Sequence, residues 1–417
     1  MSAAWTIDDA ERYLLSLELF GMRFGLDRMR RLMTALGHPE RRFNSIHVVG
    51  TNGKSSTVRM TAAILSAHGL RTGSYLSPHL VSFEERVRIG DVDLEPESFA
   101  AAVQRAARAA ELVNRSLAGD DCVTQFEALT AAAYSELAER GVEVAVIEAG
   151  LGGRYDATNV IPSKVQVLTS VGLEHTRWLG PTIRDIAIEK LDVVREGATL
   201  VLGPGLAPDA REVAREVAEE RHATIVQAAA DPGVPVVAAG SFQRRNFAVA
   251  VAAAGAYLGT LDDGAVTAAA ASVLVPGRLQ QVAEEPLTLL DGAHNPDGIA
   301  ALAESLPELM AGRERLVGVV SILDDKDASG MLATLGGVCD ALVFTSSQNP
   351  RALPPPTLQS LARQLSGPPS EVVGDPRAAV ERARELAGPR GVVLATGSIY
   401  LVAELLAPAG ARRASML

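Results

Sequence analysis

S-I-H-V-V-G-T-N-G-K-S-S-T, residues 45–57, carries a β-rich run (Ile46, His47, Val48, Val49) through a loop of small residues into a helix-compatible stretch, Val58 to Ala67. Strand, glycine loop and helix in that order form a phosphate loop. Gly50 and Gly53 let backbone N–H groups of Gly50, Thr51, Asn52 and Gly53 converge on a phosphate with no Cβ in the way. The helix start adds partial positive charge, Lys54 reaches the terminal phosphates, and a hydroxyl of Ser55 or Ser56 can take a magnesium ion. The longer pattern G-x-x-x-x-G-K-[ST] would place glycine where this chain has Val48, so G-T-N-G-K-S is the shorter form. A glycine turn that merely caps a helix is the plainer alternative.

With 417 residues the chain is long for one hydrophobic core, and two domains are expected. Apolar residues make up 47%, ordinary for an α/β protein, and no apolar run reaches the ~18 residues of a membrane span. The first residues lack a basic segment followed by an apolar one, so we expect no export signal and a cytoplasmic protein. The two cysteines, Cys122 and Cys339, match no zinc spacing and read as reduced thiols. A net charge of -11 argues against a nucleic-acid partner. It leaves room for an anionic small molecule in a locally basic cleft.

Ahead of the phosphate loop, apolar spacing predicts helices over 7–19 and 26–36. A short strand over 71–76 then ends in Ser77-Pro78-His79-Leu80, where a hydroxyl and an imidazole stand either at a ligand-collecting strand end or in a plain Ser-Pro turn. A long helix over 95–117 is followed by T-Q-F-E-A-L-T, whose Thr124, Gln125 and Glu127 look, on spacing alone, like helix-capping groups. The segment 142–159, V-E-V-A-V-I-E-A-G-L-G-G-R-Y-D-A-T-N, is a buried strand delivering Glu148 at its C-terminal end. A carboxylate there, beside a phosphate loop, can hold Mg²⁺ or orient a nucleophile. The next strand, 165–170, ends in V-G-L-E-H-T, where His175 reads as a metal ligand, a base or an interior imidazole; with Glu148 alongside we favour the metal. Glu189-Lys190 sits in a helix over 183–195, by default a surface ion pair.

Strands over 199–202 and 224–227, a helix over 209–220 and another over 240–258 continue the alternation. Ala283-Glu284-Glu285-Pro286 is the expected linker, dividing the chain into 1–283, a connection at 284–288, and 289–417. Beyond it a second, smaller doubly wound α/β unit begins, with Asp291, His294 and Asn295 at one strand end and Asp324 to Asp327 at another. The residues alone thus describe a magnesium nucleotide enzyme whose second domain closes over the first.

Taken together, G-T-N-G-K-S (50–55), S-P-H-L (77–80), F-E (126–127), E-A-G-L-G-G-R-Y-D-A-T-N (148–159), G-L-E-H-T-R-W-L-G (172–180), E-K (189–190), P-G-R-L-Q (276–280), D-G-A-H-N-P (291–296), D-K-D (325–327) and T-G-S-I-Y-L-V (396–402) resemble bacterial folylpolyglutamate synthase/dihydrofolate synthase, of the Mur-ligase superfamily. The likeness runs from about residue 10 to about 405. It implies a P-loop NTPase-like central domain with a Rossmann-like C-terminal domain, and a monomeric ATP- and Mg²⁺-dependent amide ligase. Such an enzyme phosphorylates a carboxylate of dihydropteroate or of a reduced folate and lets L-glutamate displace the phosphate. By position the resemblance assigns Lys54 and the loop amides to the β/γ-phosphates. Ser77, Glu148 and His175, with Ser55 or Ser56, fall to one or two metal ions, and Lys190 to a carbamylated metal-binding lysine. Asn246, Arg278 and Asp291 fall to the nucleotide; Thr124, Gln125, Phe126, Glu127, Tyr155, Asp156 and Ala157 to the pterin. Ser77 and His79 also belong to the substrate side, and His294 with Asp325, Lys326 and Asp327 to the glutamate side.

Ser55 stands where glycine is usual, Tyr155 where leucine is common and Gln125 where an aromatic is common. Two other functions fit part of the pattern: a Mur-type ligase for another carboxylate acceptor, and a non-catalytic nucleotide binder. Against the first, the phosphate loop begins too early for a preceding ~100-residue domain. Against the second, Lys54, Glu148 and His175 are all present.

Overall fold

The structure, a computed structural model, describes residues 3–17 and 25–408. Within them the chain builds two sheets. The first holds β1 (Asn44–Val49), β2 (Thr72–Tyr75), β3 (Val87–Ile89), β4 (Val92–Asp93), β5 (Val144–Glu148), β6 (Val165–Leu168), β7 (Thr199–Leu202) and β8 (Thr224–Gln227), in the order β4-β3-β2-β5-β1-β6-β7-β8. Pairing is parallel except for the β2-β3-β4 edge. Strands such as β5, V-A-V-I-E, are buried on both faces and so are apolar throughout. Their alternate residues serve different cores: Ala145 and Ile147 pack with the helices Pro96–Asn114 and Gln125–Glu139, Val144 and Val146 with Lys54–Ala67 and Ser241–Leu258.

The second sheet comprises β9 (Gln280–Glu284), β10 (Leu287–Leu290), β11 (Leu316–Val320), β12 (Ala341–Phe344), β13 (Ser370–Val372) and β14 (Val392–Thr396), ordered β13-β12-β11-β14-β10-β9. Only β9 runs antiparallel, and it corrects the expected domain division. Residues 284–288 are no linker: Gln280–Glu284 hydrogen-bonds back onto Leu287–Leu290, and Glu285-Pro286 is the turn of that hairpin. The strand escaped notice because it is polar and lies half-exposed on a sheet edge. The chain changes domain earlier, at Pro276-Gly277-Arg278. Val275 still packs in the first core and Leu279 already in the second. At the crossover a Cβ on Gly277 would meet Leu80 and Val402 at 3.1 Å, one from each domain.

Most predicted elements appear with ends shifted by a few residues. The first helix is Ile7–Ser16, the rest of its predicted span reaching residues outside those described, and the 183–195 helix stops at Leu191. The helix Asp263–Ser272 and the β3-β4 hairpin were not expected. What matters for function is that β5, β1 and β6 are neighbours and parallel, with Val48 level with Glu148 and Val49 with Leu168. Strand order reverses at β1, so three loops leave the carboxyl edge side by side, where open α/β sheets bind ligands.

Candidate active site

The loop leaving β1 is tied to the one leaving β6. The N–H of Gly172 donates to Thr51 Oγ1 (3.0 Å), that of Asn52 to Ser170 Oγ (2.9 Å), and Thr169 Oγ1 to the Asn52 carbonyl (2.7 Å). Gly53 is left-handed (φ 85°) and starts the Lys54–Ala67 helix; a Cβ there would lie 2.5 Å from Asn246 Oδ1. Lys54 Nζ folds back to donate to the carbonyls of Gly50 and Thr51, both at 3.1 Å. Lys190 Nζ donates to the same Gly50 carbonyl at 2.9 Å. Burial, reinforced by the Lys54 charge, pushes Lys190 down to about 7. It is therefore no surface ion pair: its neighbour Glu189 meets Arg154 at 2.8 Å while Lys190 points inward.

Glu148, buried at the end of β5, accepts from Ser55 Oγ (2.9 Å) and from the N–H of Ser77 (3.2 Å). Burial raises its pKa; Lys54, Ser55, Ser77 and Arg278 work against that rise. The hydroxyl beside Glu148 is thus that of Ser55, while Ser56 lies buried in the same wall. His175 adopts a left-handed conformation (φ 52°) ahead of the short helix Thr176–Leu179. Its side chain is 37% exposed, and desolvation within the cleft lowers its pKa to about 4 despite Glu174, with Lys326, Lys54 and Lys190 contributing. Among the described residues no three His, Cys, Asp or Glu side chains are set to hold a metal by themselves. Glu148, His175 and the serine hydroxyls fit Mg²⁺, which keeps few protein ligands and completes its shell with phosphate and water oxygens.

The second domain closes the far wall. Asp291 is buried after β10 and accepts from the N–H groups of Leu279 (2.9 Å) and Ala293 (2.8 Å); burial raises its pKa and Arg278 opposes this. His294 faces the Gly292 carbonyl with Nδ1 (2.8 Å) and Glu174 of the first domain with Nε2 (3.3 Å). Lys326 reaches the same Glu174 oxygen at 3.1 Å. Burial alone would raise Glu174; the His294 hydrogen bond and the His294, Lys326 and His175 charges outweigh it and hold the carboxyl well below its usual range. Asn52 of the phosphate loop and Asn295 exchange two amide hydrogen bonds of 3.1 Å. Neither Glu174 nor Asn295 stood among the expected site residues, and both join the domains.

Apart from Lys190 and Asn295, which are buried and do not line it, these groups line one cleft of about 800 Å³. Asn246, Arg278, Asp325 and Lys326 line it too, as do Thr124, Phe126, Glu127, Tyr155, Asp156 and Ala157. Thr124 and Glu127 do form the capping box that spacing suggested, and also face the cleft. Arg28, missed in the sequence, is buried on the helix Asp27–Ala35 and donates to Glu127 (3.0 Å) and Asp121 (3.1 Å). A basic residue among that helix's buried positions was the available signal.

Three expected substrate residues lie elsewhere. Gln125 is buried and donates to the Leu14 carbonyl at 2.8 Å, because one residue along a helix turns a side chain about 100° away from Phe126. His79 is buried against Phe83, ring centroids 4.4 Å apart, and its Nδ1 accepts from Arg86 (2.9 Å); burial lowers its pKa strongly. It supports Arg86, which does reach the cleft wall. Asp327 caps the helix Ala328–Val338, accepting from the N–H of Gly330 at 2.9 Å.

Comparison with known proteins agrees with this geometry. Residues 277–399 match the Mur ligase glutamate ligase domain, which begins at the crossover described above. Dihydrofolate synthase/folylpolyglutamate synthase of Bacillus subtilis is 32% identical over 95% of this chain and 97% of its own length. The solved Mycobacterium tuberculosis folylpolyglutamate synthase complexed with ADP superposes with a TM-score of 0.88 at 32% identity, covering 96% of this chain and 97% of that one. The Yersinia pestis bifunctional enzyme complexed with AMPPNP and a Mn ion gives 0.85 at 30% identity, over 97% and 98%. With likeness of this extent along both lobes and through the cleft between them, the chain belongs to the dihydrofolate synthase/folylpolyglutamate synthase family of Mur ligases.

Proposed function

We propose that this cleft performs the family's ATP-dependent ligation of L-glutamate onto dihydropteroate or a folate with the residues assembled above. An oxygen of the acceptor carboxylate attacks the γ-phosphorus of ATP, the bond to the ADP oxygen breaks, and an acyl phosphate forms. The glutamate nitrogen then attacks the acyl carbon; phosphate departs with the original carboxylate oxygen, and the nitrogen loses a proton. Both steps bring anions together, so the residues' work is neutralisation and alignment. The loop amides and Lys54 hold the β- and γ-phosphates, while Asn246, Arg278 and Asp291 hold the rest of the nucleotide. A Mg²⁺ ion, held by Glu148, His175 and Ser55 with Ser77 and Ser56 nearby, supplies charge neutralisation to the phosphates. Lys190, with its partly neutral amine, is suited to take up CO₂ as a carbamate and become a further oxygen ligand.

The acceptor ring lies among Phe126, Tyr155, Asp156, Ala157, Thr124 and Glu127, and His294 with Lys326 receives the glutamate carboxylates. No helix among the described residues is long and apolar enough to cross a membrane. We infer a monomer acting in the cytoplasm on these small molecules.

The observation that carries the proposal is the meeting of Lys54, Glu148 and His175 with Arg278, Asp291 and Lys326 around one cleft. An acceptor labelled with ¹⁸O in its carboxylate tests it. One labelled oxygen should appear in the released phosphate for each amide formed; unlabelled phosphate would exclude the acyl phosphate. Dihydropteroate and tetrahydrofolate monoglutamate, compared as acceptors, then show which addition the enzyme performs.

A further inference from the structure

Beneath the acceptor loop lies a buried chain of hydrogen bonds that starts on the nucleotide strand. His47 sits on β1, three residues before Gly50, and is fully buried. Its Nε2 lies 2.8 Å from Thr158 Oγ1, and its Nδ1 has no partner. The Thr158 hydroxyl is in turn bonded to Asp156 Oδ1, which also accepts the N–H of Thr158 at 3.0 Å. Asp156 Oδ2 accepts the N–H of Leu151 at 2.8 Å, and the Thr158 carbonyl accepts from Tyr134 at 3.0 Å.

Proton positions follow from these contacts. A threonine hydroxyl has one proton, and a carboxylate already receiving two N–H groups takes it most favourably. Thr158 Oγ1 must then accept from His47, so the imidazole carries its proton on Nε2. The orphan Nδ1 is left as a bare acceptor, cheaper to bury than an unpaired N–H. Burial pushes His47 down to about 3, helped by the Arg195 charge, which favours the neutral ring; the tautomer follows from the contacts alone.

We infer that His47 is a positioning residue: through Thr158 it orients the Asp156 carboxylate toward the acceptor and locks the acceptor loop to the strand that carries the phosphate loop. The inference rests on the proposed contact between Asp156 and the acceptor ring. It gives one function to three residues of two separate segments and explains a buried histidine whose second nitrogen does nothing.

The test exploits which nitrogen is used. Glutamine places an amide N–H where Nε2 stands, whereas asparagine reaches only the Nδ1 position. His47→Leu and His47→Asn should raise the acceptor KM about tenfold or more, with the ATP KM changed less than about twofold. His47→Gln should stay within about threefold of the parent. Thr158→Val should match His47→Leu, Thr158→Ser should match the parent, and the double variant His47→Leu/Thr158→Val should be no worse than either single one. If His47→Leu does not fold, the glutamine–asparagine and serine–valine pairs decide.

Equal acceptor KM values for the glutamine and asparagine variants, or a parallel rise in ATP KM, would overturn the role. ¹⁵N shifts of His47 in the parent protein read the relay without substrate: an Nε2–H tautomer is expected, and an Nδ1–H tautomer or an imidazolium refutes it. Asp156→Asn separates the two levels. If it leaves the acceptor KM at the parent value, the proposed acceptor contact fails, and the role of His47 with it, whatever the tautomer.

Discussion

Replacing Lys190 by methionine should stabilise the metal-free protein while removing its activity. Lys190 is buried, and burial together with the Lys54 charge lowers it from 10.5 to about 7. Between those two pH values the unfolded chain holds a proton that the folded chain has released, so native stability rises with pH across that window. Below about 7 both states carry the proton, and the full cost of the buried ammonium stands. The difference between 10.5 and about 7 corresponds to roughly 5 kcal/mol, of which about 4 kcal/mol remains at pH 7 where half the amines are neutral. Methionine forfeits the hydrogen bond to Gly50, about 1 kcal/mol, leaving a net gain of about 3 kcal/mol at neutral pH that fades toward pH 10. Urea unfolding in a chelator and CO₂-free buffer, from about pH 6 to about pH 10, measures it. A methionine variant no more stable than the parent at pH 7, or a difference that does not change with pH, would refute the reasoning. The same variant should lose glutamate-dependent ADP release and the ¹³C carbamate that the parent forms from labelled bicarbonate; near-parental turnover would exclude the carbamate.

Lys54→Ala should lower kcat for glutamate-dependent ADP formation by about 10³ or more, and near-normal turnover would remove Lys54 from the phosphate site. In Glu148→Gln the Mg²⁺ concentration for half-maximal rate should rise about tenfold, since the variant keeps the shape but loses the charge; an unchanged magnesium dependence would count against Glu148 as a ligand. Two glycines inserted between the exposed Glu284 and Glu285 should cost less than about 1 kcal/mol and leave activity intact, because they only lengthen a hairpin. The same insertion between Gly277 and Arg278 should abolish activity, because it shifts the second domain's side of the cleft; equal effects at the two places would contradict the domain crossover placed here.

Strand ends were legible in the sequence where burial forces an apolar run to stop. β5 and β10 each end in a carboxylate, Glu148 or Asp291, that no solvated strand requires, and those residues stand where expected. The phosphate loop was legible because close backbone approach admits only glycine. β9 was not, since an edge strand facing water carries Gln and Glu and reads as a linker. Motifs also blur within their own length. In T-Q-F-E, Phe126 faces the cleft and Gln125 faces the N-terminal helix; in D-K-D, the third residue is a helix cap with its partner three residues on. Contacts that join distant segments, such as Glu174 with His294 and Lys326, leave no trace in local spacing.

Those contacts bear on how a chain of net charge -11 binds three anionic substrates. The cleft gathers Arg28, Lys54, Arg278 and Lys326 from both domains, and each lies near an acid: Glu127, Glu148, Asp291 or Glu174. Arg28 is held by Glu127 and Asp121 and Lys326 by Glu174, while Lys54 is held by the Gly50 and Thr51 carbonyls and Arg278 by that of Gly277, which fixes their positions. The arrangement also divides the labour. On the proposed assignment the first domain supplies the phosphate loop and Glu148 and the second His294 and Lys326, and neither alone neutralises both the activated acid and the incoming amino acid. Glu174, with His294 and Lys326, and the Asn52–Asn295 pair are polar links across that division, as are Arg244–Glu308 and Arg245–Glu304 between the helices Ser241–Leu258 and Pro296–Leu309. On the same proposal, chemistry is confined to the state in which the domains face each other, with water kept from an acyl phosphate that would otherwise hydrolyse.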